Sequence, residues 1–426
     1  MNQRKLHILT GVAALAAGLG IFLWHDEEPR PPAPETPTAS RPDWQAAPPV
    51  VAKPPVVEDG ERTLKVGVIG PETGPEAALG LAVLDGVRLA AQHFNAAGGL
   101  NGKPMEVIHH DSQGDMERTM AAAHDLVGRK VIAIFTAPTG WSTFAPTRLA
   151  NRSRTIMISV GSRRKIGRSG AFVFRSALSD GIATDELVRF ATERLGYTKY
   201  ALVTTSSYDY SLSLSGLFLQ AVQRHGGQLS ARADTYNTYT GGRDLDAVIA
   251  ALKTAADPPQ AIIYTGGGSE AARLARALRQ AGLTAPLIGG EDLFSAGYLK
   301  EGGAAVHGSL LYATFAPDHP SPRLADFLAD FARIRKQLEP TPPDRFAALA
   351  YDSFNALALA IERAGSLKSA AVRDVLLSAG PFEGVTGVHG WAADGGPLNR
   401  PFLYRVAAEG GAEKFVLVSS EGSSQR

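Results

Sequence analysis

The sequence contains no cysteine and carries almost no net charge. Its 43 lysines and arginines balance 42 aspartates and glutamates, which leaves a charge of +1 over 426 residues. Without cysteine the chain forms no disulfide, thiolate metal site or thiol nucleophile, and it offers no N-terminal cysteine for lipidation. Without a basic excess it lacks the electrostatic footprint of a nucleic-acid-binding protein. Because 44% of the residues are hydrophobic, the chain can bury a sizeable core.

Motifs for catalysis and metal binding are missing as well. His109, His110 and Asp111 are adjacent in a predicted strand, so their side chains alternate between its faces instead of converging on a metal ion. Ser162 and Lys165 have the spacing of a Ser-x-x-Lys nucleophile motif, but its companion motifs are absent. We therefore expect no enzyme activity, no metal and no cofactor.

The N-terminus carries an apolar run. Arg4 and Lys5 precede nineteen nearly uncharged residues, 6–24, and acidic residues follow at 26–28. As a helix this run would be about 28 Å long, close to the thickness of a hydrocarbon core. Positive charge before it and negative charge after it place the N-terminus in the cytoplasm and the remainder outside. We predict that residues 1–24 are an uncleaved membrane anchor; a cleaved signal peptide is the alternative, and either one exports the chain.

The rest of the chain divides by composition. Residues 25–61 contain ten prolines, which predicts an extended, semi-rigid linker. Residues 419–426 are polar and are predicted to be a disordered tail. Between them strand-like and helical segments alternate, which predicts a parallel α/β sheet. The strand-like segments are 64–69, 105–108, 131–136, 155–160, 200–204, 261–264 and 287–289, and the helical ones include 116–127, 184–194, 212–224, 243–253 and 270–280.

The stretch 63–111 is the most informative part of the chain. A short apolar run at 64–69 predicts a strand that is covered on both faces. The loop 70–75 is rich in glycine and proline and follows the carboxyl end of that strand, where open α/β sheets place ligand sites. An amphipathic helix, a glycine-rich turn at 98–102 and a second strand that ends at Asp111 come next.

Two patterns in this stretch carry a family resemblance. The loop at 67–74 (GxxxPxTG) and the helix and turn at 85–102 (DGxxLAxxxxNAxGGxxG) resemble the Leu/Ile/Val-binding periplasmic solute-binding proteins of branched-chain amino acid ABC transporters. The resemblance, which extends over about 62–418, implies a type I periplasmic binding protein fold. In that α/β fold two doubly wound, Rossmann-like lobes are joined by a hinge that the chain crosses three times. The implied lobes are 62–178 with 316–388, and 179–315 with 389–418.

The resemblance also implies residues of lobe 2 that line the ligand cleft. Glu291 follows the apolar segment 287–289 after one glycine, and in amino-acid binders the matching acid accepts hydrogen bonds from the ligand's α-ammonium group. Asp292 is equally eligible by position, and a solvated loop carboxylate is the alternative. Tyr210 matches an aromatic residue that closes over the ligand, unless it only packs in the core. Gly268 stands where the family often supplies a further aromatic residue.

Residues of lobe 1 are implied to hold the ligand's carboxylate. Trp141, Ser142 and Thr143 open a helical stretch, where backbone N–H groups and hydroxyls suit an anion, although Ser142 could simply cap that helix. Gly161 and Arg163 fall in a second carboxylate-holding turn. Arginine binds carboxylates through two parallel hydrogen bonds, so Arg163 favours a ligand with an extra acidic group. The alternative is that the three consecutive basic residues beginning at Arg163 form a solvated loop on the rim.

Taken with the resemblance, these features predict an extracytoplasmic substrate-binding protein. It would capture an amino acid or related small organic acid between its lobes by hinge closure and present it to an ABC permease in the inner membrane. The alternative is a membrane-anchored regulator of a cell-envelope enzyme, similar to the activators of penicillin-binding proteins, which uses the same fold for protein–protein contact. A long linker on an anchor suits a protein that must reach a fixed partner.

Overall fold

The computed structural model describes residues 63–162, 169–206, 209–237, 242–319, 321–335 and 343–418. The predicted anchor (1–24), the linker (25–61), Arg163 and the tail (419–426) lie outside the described residues. Within the described ranges, no helix is both long enough and apolar enough to cross a membrane. The described chain forms two main β-sheets, each flanked by helices.

Five parallel strands form the first sheet, in the order β2-β1-β3-β4-β5. The strands are β1 (Leu64–Gly70), β2 (Met105–Asp111), β3 (Ala133–Thr136), β4 (Ile156–Val160) and β5 (Val173–Ser176), and the helices between them are α1 (Ala77–Ala96), α2 (Met116–Gly128) and α3 (Thr147–Ser153). Strands β3 and β4 are buried throughout and β1 at all but one residue, as expected of parallel strands that helices cover on both faces.

Seven strands form the second sheet, in the order β16-β15-β12-β11-β10-β6-β7. In chain order the strands of this region are β6 (Lys199–Thr204), β7 (Gln228–Asp234), the separate ribbon β8 (Tyr236–Asn237) and β9 (Gly242–Arg243), then β10 (Ala261–Tyr264), β11 (Leu287–Gly289) and β12 (Leu310–Ala313). The helices are α4 (Asp180–Leu195), α5 (Asp209–Arg224), α6 (Leu245–Lys253), α7 (Gly268–Gln280) and α8 (Ala296–Gly302).

After β12 the chain returns to the first sheet. This segment comprises α9 (Pro322–Arg335), α10 (Arg345–Ala364), α11 (Ser369–Ser378) and the small hairpin β13 (Phe382–Gly384) and β14 (Gly387–His389). The last strands, β15 (Phe402–Glu409) and β16 (Ala412–Leu417), then form an antiparallel hairpin on the edge of the second sheet. The described chain therefore passes between the two sheets three times: after β5, after β12 and before β15.

The two sheets repeat one strand order. If the strands of each sheet are numbered in chain order, both sheets have the spatial order 2-1-3-4-5. The order is β2-β1-β3-β4-β5 in the first sheet and β7-β6-β10-β11-β12 in the second. Open sheets of this kind bind ligands outside the carboxyl ends of the strands, next to the point where the strand order reverses. The order reverses between β1 and β3 in one sheet and between β6 and β10 in the other. Residues that follow these strands, and the adjacent β4 and β11, are therefore the ones to inspect for a site.

Helices α1 and α10 approach each other closely because residue 86 is glycine. A Cβ atom at Gly86 would lie 2.2 Å from the carbonyl oxygen of Ala347, a distance that no side chain tolerates. Next to this crossing Val87 of α1 and Phe354 of α10 join one buried cluster with β1, β3 and β4. The close crossing fixes the first turn of α10 against the first sheet and so positions residues 344–346.

Asp111 holds the glycine- and proline-rich loop that follows β1. Its carboxylate accepts hydrogen bonds from the N–H of Glu72 (2.8 Å), the hydroxyl of Thr73 (2.7 Å) and the N–H of Gln113 (3.0 Å). Burial acts to raise the pKa of Asp111, but these hydrogen bonds outweigh it and lower the pKa to about 2. The carboxylate at the end of β2 thus anchors the loop in its charged form.

We expect Asp111→Asn to weaken this anchor and to flatten the acid limb of the stability profile. Because the folded pKa of about 2 lies below the unfolded value of about 3.9, the stabilisation is present above about pH 4 and is lost as the pH falls toward 2. Urea unfolding between those pH values measures the difference. Glu106→Gln, which changes an exposed acid on the same strand, is the matched control. An identical loss of stability with acid in wild type and Asp111→Asn would contradict the assignment.

Candidate functional site

Glu291 lies at the carboxyl end of β11, in a 3₁₀ turn formed by Glu291–Leu293. Its side chain is only 4% exposed. The Oε1 atom accepts a hydrogen bond of 2.7 Å from the backbone N–H of Thr314, which directly follows β12. The Oε2 atom lies 3.6 Å from Nε of Arg345. An acid of the second sheet is thus paired with a cation of α10, a helix that packs on the first sheet.

Arg345 is the first residue of α10. Asp344 caps this helix, because one of its carboxylate oxygens accepts the N–H groups of Phe346 (2.9 Å) and Ala347 (3.0 Å). A cation in the first turn is disfavoured by the helix dipole. The guanidinium carbon lies 4.7 Å from the centroid of the Phe346 ring, and the side chain remains 32% exposed. The Arg345 side chain is therefore partly accessible to solvent and forms an ion pair with Glu291.

Gly161 joins this cluster from the first sheet. It directly follows β4 and has a φ of +72°, and a Cβ atom there would lie 2.3 Å from Cδ1 of Phe346. The ring of Phe346 consequently lies against the Gly161 backbone. A continuous set of contacts, Gly161 to Phe346 to Arg345 to Glu291, therefore links the carboxyl ends of β4 and β11. Gly161 and Glu291, which the sequence analysis singled out, are thus linked by Arg345 and Phe346, which no motif indicated.

The hydroxyls of Ser142 and Thr143 are directed into their own turn. Ser142 Oγ donates to the carbonyl oxygen of Thr139 at 2.7 Å. Thr143 Oγ1 donates to the carbonyl oxygen of Ala137 at 2.6 Å and accepts the N–H of Thr139 at 2.8 Å. Both side chains are buried, so their hydrogen bonds stabilise the turn after β3. Trp141 beside them is 59% exposed.

Tyr210 lies in the first turn of α5, with its ring against the core on the face of the second sheet. Its hydroxyl donates to Oδ1 of Asp180 at 3.1 Å, and the hydroxyl of Tyr312 donates to the same oxygen at 2.9 Å. A Cβ atom at Gly290 would lie 3.2 Å from that Tyr312 hydroxyl. The two tyrosines and Asp180 thus form a polar cluster close to the turn that carries Glu291.

Gly268, the first residue of α7, packs against the other side of that turn. A Cβ atom at this position would lie 2.7 Å from Oγ of Ser295 and 2.9 Å from the carbonyl oxygen of Asp292. Any side chain at 268 would force one of these groups to move. The close approach of α7 to residues 292–295 therefore leaves no room for a larger residue at 268 unless a neighbour moves.

Comparison with known proteins identifies the family. A family model described as periplasmic binding protein matches residues 63–412. The chain belongs to this family. The resemblance carried by the motifs at 67–74 and 85–102 is confirmed, as is the two-lobed α/β fold that it implied.

The relatives of this periplasmic binding protein include several that are named for amino acids. It is 27% identical over 329 residues to Leu/Ile/Val-binding protein homolog 3 of Brucella melitensis, which covers 76% of this chain and 86% of the relative. It is 26% identical to the leucine-, isoleucine-, valine-, threonine- and alanine-binding protein of Pseudomonas aeruginosa, over 80% of this chain and 88% of the relative. The branched-chain amino acid transporter substrate-binding protein of Streptococcus pneumoniae, solved with isoleucine, superimposes with a TM-score of 0.59 at 25% identity, over 84% of this chain and 100% of that one.

The contact between Gly161 and Phe346 can be tested with a pair of glycine substitutions. Gly161→Ala and Gly140→Ala both place alanine at a positive φ, +72° and +68° respectively, but only the first Cβ meets another atom, since nothing lies within 4 Å at Gly140. Each should lose about 1–2 kcal/mol of stability from the backbone conformation. Gly161→Ala should lose about 1–3 kcal/mol more from overpacking against Phe346. Urea denaturation measures both, and equal losses would show that Phe346 does not press on Gly161.

Proposed function

We propose that the protein is an extracytoplasmic substrate-binding protein that captures an amino acid or a related small organic acid between its two lobes and presents it to an ABC importer. The observation that carries the proposal is the position of Glu291: a nearly buried acid at the carboxyl end of β11 that faces residues of the other lobe. The relatives named as amino-acid-binding proteins support this function and do not favour a regulator of a cell-envelope enzyme.

The mechanism proposed is hinge closure around the ligand. Gly161, Arg345 and Phe346 belong to the side of the first sheet, whereas Glu291 belongs to the second. A ligand that contacts both sides favours the closed form by the difference between its affinities for the closed and open forms. To shift the protein from almost entirely open to almost entirely closed, the ligand must bind the closed form more tightly by about 5.5 kcal/mol. A small ligand whose charged group is held by both lobes can supply this difference.

The cellular setting is part of the proposal. Residues 1–24 are proposed to anchor the chain in the inner membrane, and residues 25–61 to act as the tether of a periplasmic domain. We assign one lobe to residues 62–178 and 316–388, and the other to residues 179–315 and 389–418. A tethered domain of this kind remains near the membrane, where a permease recognises its closed form.

Thermal unfolding of the full-length chain, refolded to remove carried-over ligand, tests the function. At one hundred times its dissociation constant, a ligand should add about 2.7 kcal/mol to the free energy of unfolding. The panel consists of amino acids and small carboxylic acids. We expect at least one of them to raise the midpoint.

Substitution of Glu291 then tests the site. Glu291→Gln keeps the volume and an acceptor for the Thr314 N–H but removes the charge, and it should weaken binding at least tenfold, equivalent to about 1.4 kcal/mol. Asp292→Asn is the matched control, because Asp292 is the adjacent acid on the same turn, and it should bind normally. A panel without a single stabilising compound, tested on a well-folded sample, would refute the proposed function.

A further inference from the structure

Glu291 differs from the free acid that an amino-acid site needs for an α-ammonium group. Its Oε1 is hydrogen-bonded to Thr314, and its Oε2 faces the guanidinium of Arg345 at 3.6 Å. A cation supplied by the chain itself is therefore already paired with this carboxylate. An ammonium group that binds here has to compete with Arg345 for Oε2.

The hydroxyls expected to hold the ligand's carboxylate are likewise engaged. Ser142 and Thr143 are both buried and bond to carbonyl oxygens within residues 137–143. These two hydroxyls are thus already used by the turn, and a side-chain donor for a carboxylate on this side comes from another residue.

Arg345 supplies that donor. Its guanidinium carries five N–H donors in a planar fork that matches a carboxylate, and its Nε lies 3.6 Å from Oε2 of Glu291. The side chain is 32% exposed, lies over Phe346 and is adjacent to Gly161 through that ring. An ion pair with one almost buried partner contributes little net stability, and the helix dipole opposes a cation at this position. Besides compensating the buried charge of Glu291, Arg345 thus places a guanidinium group at the candidate site.

We propose that Arg345 is the carboxylate-binding residue of the cleft and that Glu291 is a positioning residue that holds it. The ligand class that follows is a small organic acid whose carboxylate binds Arg345 and which does not require an α-ammonium group. This inference rests on the proposed function, since it assigns the substrate class of the same site. It differs from an amine-dependent site in which Glu291 itself binds the ligand.

Matched ligand pairs separate these two arrangements. L-Leucine and isocaproate differ by the α-ammonium group, as do L-phenylalanine and hydrocinnamate. In the proposed site the acid without the amine should bind the wild-type protein within about tenfold of the amino acid or more tightly. In an amine-dependent site, loss of a group that pairs with a buried charge costs a factor on the order of ten thousand. Isothermal titration calorimetry on the full-length chain, refolded without ligand, measures both members of each pair.

Three variants complete the test. Arg345→Met should weaken binding of every carboxylate ligand by about a hundredfold, and Arg345→Lys should recover part of that loss because it keeps the charge without the fork. Glu291→Gln should weaken the amino acid and its amine-free partner by the same factor, because it acts through Arg345. Arg333→Met, at a 75% exposed position on α9, is the matched control and should bind like wild type.

The outcomes are distinct. Loss of only the amino acid in Glu291→Gln, or unchanged binding in a folded Arg345→Met, would overturn the inference while leaving the proposed function intact. If the wild-type protein binds no member of the two pairs and no compound of the wider panel, both this inference and the proposed function are overturned. Equal weakening of both partners by Glu291→Gln together with the loss in Arg345→Met would establish Arg345 as the anchor.

Discussion

The contact between Glu291 and Arg345 is the interaction on which the candidate site depends. It joins an acid at the end of β11 to a cation at the start of α10, and so links the two sheets where the carboxyl ends of their strands lie. A carboxylate that is 4% exposed requires compensation for its lost hydration. Thr314 and Arg345 provide that compensation, the first from the second sheet and the other from the helix α10 that packs on the first sheet.

The packing of α10 determines where Arg345, the cation that pairs with Glu291, is located. Gly86 lets α1 and α10 approach within backbone contact, and the apolar residues of α10 fill the core above the first sheet. Asp344 fixes the first turn of the helix by capping it. Arg345 and Phe346 therefore emerge at a defined place beside Gly161. A positively charged side chain in a partly desolvated cleft interacts more strongly with an anionic ligand than it would in water.

Local sequence patterns were sufficient for much of the fold. The segments 261–264 and 287–289 coincide with β10 and β11, and the predicted helix at 116–127 extends as α2 by one further residue. These elements were predictable because apolar residues recur there with the period of the element. Strand β7 has no fully buried residue along Gln228–Asp234, and two of its three alternating apolar residues are alanines, which give only a weak strand signal. Helices α4 and α5 begin four and three residues before the predicted starts at 184 and 212, because their first turns contain Asp180 with Gly181 and Asp209 with Ser211, which have low helix propensity.

The sequence by itself determined the family, the two-lobed α/β architecture and the position of Glu291 after a buried strand, since each of these follows from short motifs and local hydrophobic periodicity. Only the tertiary structure decided which groups meet. Arg345 is far from Glu291 and Gly161 along the chain, and no motif surrounds it, so its role depends on the packing of α10. Likewise, the hydroxyls of Ser142 and Thr143 suited a ligand by residue type, yet their turn directs them to Thr139 and Ala137. Residue type sets which bonds a side chain can make, whereas the three-dimensional arrangement of neighbours decides which of them it makes.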